Sequence, residues 1–382
     1  MLNHPIDAID EIILQALVDN HVAERRDLEF KRELPGRNDE QVKEFLADVT
    51  SLANAQGGDL IYGIEEDNGV AAALPGVEIN DPDAVILRLE SSLQANVAPR
   101  LTGVRTHWVS LANGRGAMVM RIPGSLTAPH RVIYKNSGRF YGRNSRGKYE
   151  MDVHELRLAF TQSEQLPQRF QQLHADAIAA AKGTDMPFAI EDAPTAVVSV
   201  APLGLFREAH NIPITRDHAL VPHRVSGFSA IDMIEGVLQH APVDSDTGTV
   251  GSFAITHRTG RTDSAFVIGG IRPGNNGRAL YIVWPATFEQ GLRDMAMSTQ
   301  SRLHPFGIEG PWVVLVSVFG VKGFQMILGD GYPSKLAFRD EVLLGQHVVE
   351  RIDAASLLPI AEAFWLLFGM HRPVNRDLGV EQ

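Results

Sequence analysis

The chain has 382 residues, of which 44% are hydrophobic and 21% are charged, a balance typical of a globular protein large enough for two cores. It contains no cysteine, which excludes disulfides, thiolate zinc sites, iron–sulfur clusters and a cysteine nucleophile. The formal net charge of -11 excludes a surface that coats nucleic acid everywhere and leaves only local basic patches for phosphate binding. Since no apolar run has membrane-spanning length and the N-terminus is not leader-like, we expect a cytoplasmic protein.

The first half of the chain carries the patterns of an α+β domain. Helices are predicted over residues 7–20, 39–56, 81–96, 151–163 and 165–182, and strands over 60–64, 104–111, 116–122 and around 140–141. Gly57-Gly58 ends the second helix, and an acidic turn over 65–69 follows the first of these strands. Carboxylates therefore cluster where that strand ends.

The second half mixes apolar runs with helical patterns. Strands are predicted over 196–200, 266–271, 279–284, 312–319 and 324–328, and helices over 288–301 and 354–368. Residues 183–195, with their Gly, Pro and Asp, read as a linker. We therefore predict a domain over 1–163, a helical connector and linker over 164–195, and a second α/β or α+β domain of undefined role over 196–382.

An acidic motif stands near the start of the chain. Glu24 and Glu29 are five residues apart, and Lys31 follows two positions after Glu29. On a strand, Glu29 and Lys31 share one face, and Glu24 would join them from the preceding turn. Two carboxylates can hold Mg²⁺ or Mn²⁺, and a lysine can neutralise a scissile phosphate. By itself the motif is more typical of a solvated strand edge with ordinary ion pairs.

Five ordered segments make the motif more specific. The first is Glu24-x4-Glu29-Phe30-Lys31, and the second runs from Asn54 and Gly57-Gly58 through a strand to Gly63-Ile64 and Glu65-Glu66-Asp67. The others are Pro99-Arg100, Ala128-Pro129-His130, and Phe140-Tyr141-x-Arg143-x-Ser145 followed by Val153-x-Glu155-Leu156. Together they resemble the Schlafen AlbA-type domain family over about residues 8–163.

The resemblance implies a lobe with a small mixed sheet and flanking helices. In nuclease members of the family, the glutamates of the first motif and the second acidic residue after the Gly-Val/Ile strand form a metal-dependent endoribonuclease site that acts on structured RNA such as tRNA. The matching positions are Glu24, Glu29 and Glu66, with Mg²⁺ or Mn²⁺ as the expected ion and Lys31 as the phosphate-screening residue. The family more often has Asp-Asp where this chain has Glu65-Glu66, and Asp67 could replace Glu66 as a ligand.

The resemblance leaves the activity open, because many bacterial relatives are described only as nucleic-acid-binding or ATP-binding proteins. A non-catalytic DNA- or RNA-binding module, such as a transcriptional regulator, is therefore the second hypothesis. A bacterial origin and a role in stress response or phage defence would suit either. Larger Schlafen proteins resemble two such lobes around a groove, so we expect a homodimer of this single-lobe chain.

A basic island follows the acidic motifs. Its predicted nucleic-acid contacts are Arg131, Lys135, Arg139, Tyr141, Arg143, Arg146 and Lys148. On a strand, Arg139, Tyr141 and Arg143 share one face, an arrangement suited to phosphates and a stacked base, or to a solvated edge strand.

Two further patterns in this region have simpler interpretations. Residues 142–148 come within one residue of a phosphate-binding Gly-x4-Gly-Lys-Ser/Thr loop, but Tyr149 replaces the hydroxyl residue. ATP binding through this segment is therefore a minor alternative. We interpret Asn54 and Gly57-Gly58 as structural residues that position the strand before Glu66.

Overall fold

The computed structural model describes residues 2, 4–125, 127–144, 147–206, 211–274, 278–326 and 334–373. Two compact units divide the chain: unit 1 comprises Met1–Pro167, Leu203–Ala209 and Pro305–Ile308, and unit 2 comprises Gln168–Pro202, His210–His304 and Glu309–Gln382. None of the helices within the described residues is long and apolar enough to cross a membrane.

The predicted helices and strands of unit 1 are present, together with short strands that were not predicted. Its helices are α1 (Glu11–Asp19), α2 (Asp39–Asn54), α3 (Pro82–Asn96) and the first part of α4 (Val153–Ala181). Its strands are β1 (Leu28–Lys31), β2 (Gly57–Tyr62), β3 (Glu65–Asp67), β4 (Val70–Ala73), β5 (Val97–Ala98), β6 (Arg105–Ser110), β7 (Gly116–Pro123), β8 (Arg131–Val132), β9 (Arg139–Asn144) and β10 (Gly147–Glu150). The first predicted helix begins at Glu11, after the N-cap Asp10, and not at residue 7. The acidic turn contains the short strand β3.

A small mixed sheet lies at the centre of unit 1, as predicted. Its order is β1-β2-β7-β6, with β1 parallel to β2 and the other pairs antiparallel. Because parallel neighbours need a crossover, α2 connects β1 to β2. This helix buries Phe45, Val49 and Leu52 in one core cluster with residues of β2 and β7, and it also contacts β9 of an antiparallel sheet ordered β10-β9-β8-β5.

Asn54 and Gly57 hold the junction between α2 and β2. The Asn54 amide nitrogen donates to the backbone oxygens of His130 at 3.0 Å and Tyr141 at 2.9 Å, and its oxygen accepts from the His130 nitrogen at 2.6 Å. Gly57 has φ +78°, and a Cβ there would lie 2.6 Å from the Gly124 nitrogen. Both residues therefore have the structural role that we predicted. The Asn54 amide both donates and accepts across the junction, and the positive φ of Gly57 is a conformation that favours glycine.

Unit 2 is an α+β unit, and the α/β alternative was wrong. Its helices are the rest of α4, α5 (Pro285–Leu303) and α6 (Ala354–Leu367). Its strands are β11 (Thr195–Pro202), β12 (Ser229–Asp232), β13 (Gly236–His240), β14 (Ser252–His257), β15 (Thr262–Val267), β16 (Gly269–Pro273), β17 (Ala279–Val283), β18 (Trp312–Phe319), β19 (Gln325–Met326) and β20 (Val342–Val349). The main sheet, β12-β13-β14-β15-β11-β18-β20, is antiparallel throughout.

The predicted connector differs from the observed structure. Residues 153–181 form one continuous helix, which contains Pro167. The segment that we interpreted as a linker is packed, since Phe188 and Ile190 are both 6% exposed within the core cluster of unit 2. Apolar burial thus overrides the loop-like composition of this segment.

Candidate nucleic-acid site

Glu29 and Lys31 lie side by side on the face of β1 that is covered by α2. Strand alternation sends Leu28 and Phe30 to the other face, where they join a hydrophobic cluster. The Lys31 Nζ lies 2.8 Å from Glu29 Oε1, and Arg143 donates to Glu29 Oε2. Burial would raise the pKa of Glu29, but the charges of Arg143 and Lys31 outweigh burial and lower it. Glu29 is therefore a buried carboxylate with a cation on each oxygen.

Two acidic residues of α2, which the sequence analysis missed, face this pair. Glu44 and Asp48 are four residues apart and so share one face of the helix. The Lys148 Nζ lies 2.6 Å from Asp48 Oδ1 and 3.4 Å from Glu44 Oε1, and the Lys31 Nζ lies 4.0 Å from Glu44 Oε1. Burial raises the pKa of Asp48, and Lys148 and Lys31 oppose that rise. The available signal was an acidic i, i+4 pair directly before the apolar residues Phe45 and Val49 of the same helix.

Glu24 and Glu66 meet at the turn that ends in Gly69. The Glu24 backbone nitrogen donates to the Gly69 oxygen at 2.6 Å, and Glu66 Oε2 accepts from the Gly69 nitrogen. Glu24 Oε1 accepts from the Phe30 nitrogen at 2.7 Å, which ties this carboxylate to β1. Burial raises the pKa of Glu24 despite the Phe30 hydrogen bond, and the negative charges of Glu29 and Glu66 add to the rise. Glu24 therefore interacts electrostatically with each of the other two predicted carboxylates.

The three carboxylates do not form the three-ligand metal site that the resemblance implies. Among the described residues, no group of three acidic or histidine ligand atoms within 4.8 Å of one another includes Glu24, Glu29 or Glu66. Glu29 already has cations at both oxygens. Mg²⁺ often takes one or two carboxylates together with substrate phosphates and water, and Glu24 and Glu66 are the residues that could supply them here. Glu29 instead fits the role of an anchor for Lys31 and Arg143.

The basic island does not form one exposed stripe. Arg143 is buried at 4% exposure, and Tyr141 packs against the core cluster beside α2. Arg131 and Arg139 are exposed, and Arg139 lies 3.3 Å from Glu150. The stripe prediction was wrong for Arg143 and Tyr141 because β9 packs on α2, which turns the shared strand face inward.

The other cations of the island have different surroundings. Exposed Lys135 pairs with Asp39, and half-buried Lys148 pairs with Asp48. Arg146 lies outside the described residues. Lys148 stands in β10, whose Gly147 pairs with Asn144 of β9. A hairpin strand is not the loop before a helix that phosphate-binding Gly-x4-Gly-Lys segments require, so ATP binding by this motif is not supported.

A cavity of about 310 Å³ opens beside Lys31. It lies where the chain leaves β1 and enters α2. Lys31, Glu44 and Asp48 line one part of it, and the buried rings of Phe45 and Tyr62 line another. Charged side chains of the site thus border an apolar recess.

A family model described as Schlafen, AlbA_2 matches residues 24–152. The chain contains a Schlafen AlbA_2 domain. The match begins at Glu24 and includes Glu29, Lys31 and Glu66, so the resemblance seen in the sequence is confirmed. It spans the Schlafen domain of unit 1 and leaves unit 2 without a family assignment from this match.

Two solved structures are similar over 36% of this chain. The DIP2311 protein from Corynebacterium diphtheriae is 20% identical, with a TM-score of 0.26 and 26% of its own length matched. The other structure is the N-terminal domain of a Nitrosomonas europaea protein that is named an ATP-dependent DNA helicase RecG-related protein. It is 22% identical, with a TM-score of 0.24 and 80% of that chain matched. The matched region therefore spans about a quarter of the Corynebacterium protein. No curated protein matches the chain.

Proposed function

We propose that the Schlafen domain binds nucleic acid beside β1 and cleaves its phosphodiester bonds there, with structured RNA such as tRNA as the substrate. The family assignment supports nucleic-acid binding. The observation that carries cleavage is that Glu24 and Glu66 both bond to Gly69, where Glu24 lies within electrostatic reach of Glu66, Glu29 and Lys31. Lys31 is half-buried and remains partly open to solvent, so a phosphate can reach it.

The residues of the site divide into those that hold an ion and those that hold phosphate. Glu24 and Glu66 would hold Mg²⁺ or Mn²⁺, which when bound stabilises the charge that develops on an attacked phosphodiester. Lys31 supplies a positive charge for the phosphate, and Glu29 orients it through the 2.8 Å ion pair. Arg131 and Arg139, which are exposed, and Lys148 would contact phosphates of the nucleic-acid backbone.

Binding without cleavage is the second candidate, and one observation favours it. Both oxygens of Glu29 are engaged by cations, so the third ligand of the family's nuclease site is not free. A domain of this kind would use Lys31 and Lys148 for phosphates and would need no ion. Substitution of Glu24 would then leave every activity intact.

Incubation of the purified chain with tRNA and with single-stranded DNA separates the two candidates. Each reaction is run with Mg²⁺, with Mn²⁺ and with EDTA, and products are resolved by electrophoresis. We expect metal-dependent RNA cleavage that falls by about 100-fold or more in Glu24→Gln, while RNA affinity is kept. Glu78→Gln, which changes an exposed glutamate of the same unit, is the matched control and should cleave like the parent.

Acidification adds a second readout. Because the raised pKa of Glu24 lets protons compete with the ion for this carboxylate, metal-dependent cleavage should decline on acidification, and a higher metal concentration should restore it. If no metal gives cleavage and Glu24→Gln binds RNA like the parent, the domain binds without cutting. If neither RNA nor DNA binds, the proposed function fails.

A homodimer is part of the same proposal, since a single Schlafen lobe forms only one side of a groove that could hold a folded RNA. Light scattering after size-exclusion chromatography, with and without tRNA, measures the mass. A monomer in both samples would remove this part and leave the site assignment as it is.

A further inference from the structure

The cavity beside Lys31 has the size and walls of a pocket for a small planar group. Its volume of about 310 Å³ is at the lower end of the range for small-molecule sites, roughly 300–1,000 Å³. Leu34, Pro35, Phe45 and Tyr62 supply apolar surface, and both aromatic side chains are at most 3% exposed. Apolar and aromatic surfaces of this kind accept the face of a nucleobase. A base pair would need more room.

The polar part of the cavity is rich in hydrogen-bond acceptors. Glu44 and Asp48 contribute carboxylates, and Gln41 contributes an amide from the preceding turn of α2. Asp48 is 2% exposed, so its charge is shielded from bulk water, and Lys148 fixes one of its oxygens. Ionised carboxylates only accept hydrogen bonds. They therefore favour a ligand edge that donates, such as an exocyclic amino group, and disfavour one that presents carbonyl oxygens.

Cations at the same cavity indicate what the small planar group is attached to. Lys31 lines the cavity and also contacts Glu29, so one ammonium group serves the recess and the acidic site. Arg32 lines it too and is exposed, although it pairs with Glu65 at 2.8 Å. Positive groups beside an apolar recess are the combination that binds a base together with its phosphate.

We propose that this cavity binds one unstacked nucleobase with an exocyclic amino group, namely adenine, cytosine or guanine, from the strand whose phosphate lies on Lys31. The inference rests on the proposed nucleic-acid binding and gives it a base preference. Uracil and thymine lack the amino group and offer only one ring N–H, which lies between two carbonyl oxygens, so Glu44 and Asp48 bind them less well. Since bases inside a duplex are stacked, the preferred substrate presents this base in a single strand or a loop.

Fluorescence anisotropy in EDTA measures the preference without any cleavage. Short labelled RNAs composed of adenine, cytosine or uracil are titrated with the full chain at one salt concentration. We expect adenine and cytosine RNAs to bind about tenfold tighter than uracil RNA. Glu44→Gln should abolish or reverse that ratio, because an amide can also donate to uracil carbonyls. The side chain of Glu44 is 54% exposed, so this variant is expected to fold.

Glu40→Gln is the matched control. Glu40 lies one turn earlier on α2, is exposed, and does not line the cavity, so this variant removes the same charge and should keep the ratio of the parent. Equal affinities of the parent for the three RNAs would overturn the base pocket while leaving nucleic-acid binding in place. A ratio that survives Glu44→Gln would also overturn it.

Free AMP, CMP and UMP form a separate arm that distinguishes the source of the base. If no RNA binds but AMP and CMP bind in a Glu44-dependent manner, the proposed function fails and the base pocket is supported for a free nucleotide. If neither RNA nor a mononucleotide binds, both proposals are overturned.

Discussion

Each unit of this chain contains a network of charged and polar side chains, and the two networks differ in their access to solvent. In unit 1, Lys31 and Lys148 are only half-buried, and a cavity opens beside them. In unit 2, Asp263 is 1% exposed and accepts from Ser199 at 2.6 Å and His257 at 2.8 Å, with Arg261 at 2.6 Å. Both networks shift pKa values. Access to solvent and an adjoining recess are therefore what indicate a functional site, because shifted pKa values also occur in structural ion pairs.

The network of unit 2 extends to a buried histidine. His174 lies between two serines, with Nδ1 2.8 Å from Ser199 Oγ and Nε2 2.9 Å from Ser317 Oγ. Burial lowers the pKa of His174 to about 4, so the ring is neutral at pH 7. These bonds join α4 to β11 and β18. Their geometry satisfies buried polar groups, which is a structural role.

The largest expected effect is on the stability of unit 2. Asp263→Asn removes the charge that compensates Arg261 in a buried position, so the free energy of unfolding should fall by about 3–5 kcal/mol. Urea denaturation followed by circular dichroism measures this change. Affinity for RNA, measured below the unfolding transition, should stay at the parent value. A loss of affinity in the folded variant would extend the functional site into unit 2.

Acid should destabilise the chain through the same network. The pKa of His174 is lowered from 6.5 to about 4, so the unfolded chain takes up the proton first and stability falls as the pH drops from about 6.5 to about 4. The loss approaches about 3 kcal/mol at the acid end of this range. Burial lowers the pKa of His223 to about 4 as well. His174→Gln should therefore remove about half of the pH dependence of the unfolding free energy that these two histidines cause. An unchanged slope would mean that His174 does not control it.

Within unit 1, the glutamates of the site should differ in their effect on stability. Glu29→Gln leaves Arg143 without its counter-charge in a buried place, and unfolding free energy should fall by about 2 kcal/mol. Glu24→Gln should instead raise stability at neutral pH. The raised pKa of Glu24 means that its ionised form is disfavoured in the fold, and the amide keeps an acceptor for the Phe30 nitrogen. Urea denaturation of the two variants beside the parent tests both expectations. A lower unfolding free energy for Glu24→Gln would contradict the raised pKa of Glu24.

The smallest effect concerns one exposed cation in each unit. Arg131→Ala, on β8 of unit 1, should weaken RNA binding by less than about tenfold and reduce the salt slope by about one phosphate contact. Arg351→Ala, at an exposed position of unit 2, should change neither. Anisotropy titrations over a series of salt concentrations compare the two. Equal effects would show that binding is not confined to unit 1.

Much of the Schlafen domain could be read from local sequence patterns. The helix over 39–56 and the strand after Gly57-Gly58 agree with α2 and β2, because the apolar period of a helix and the stop signal of two glycines are local features. Unit 2 was less accessible: β12, β13, β14 and β20 were not predicted, and the strand predicted over 266–271 is the end of β15 followed by β16. Strands β13 and β14 bury polar residues such as Gln239 and Thr256 together with apolar ones, so neither an apolar run nor a regular polar–apolar alternation marks them in the sequence.

The sequence by itself determined that the chain contains a Schlafen domain whose motifs include Glu24, Glu29, Lys31 and Glu66, because the order and spacing of those motifs are typical of that domain. Only the tertiary structure decided how these residues are used. Arg143 lies 114 residues after Glu29 and donates to one of its carboxylate oxygens. Lys148 lies 100 residues after Asp48 and donates to that carboxylate. Such pairings follow from the packing of β9 and β10 against α2. Charge interactions act through space, so spacing along the chain could not predict them.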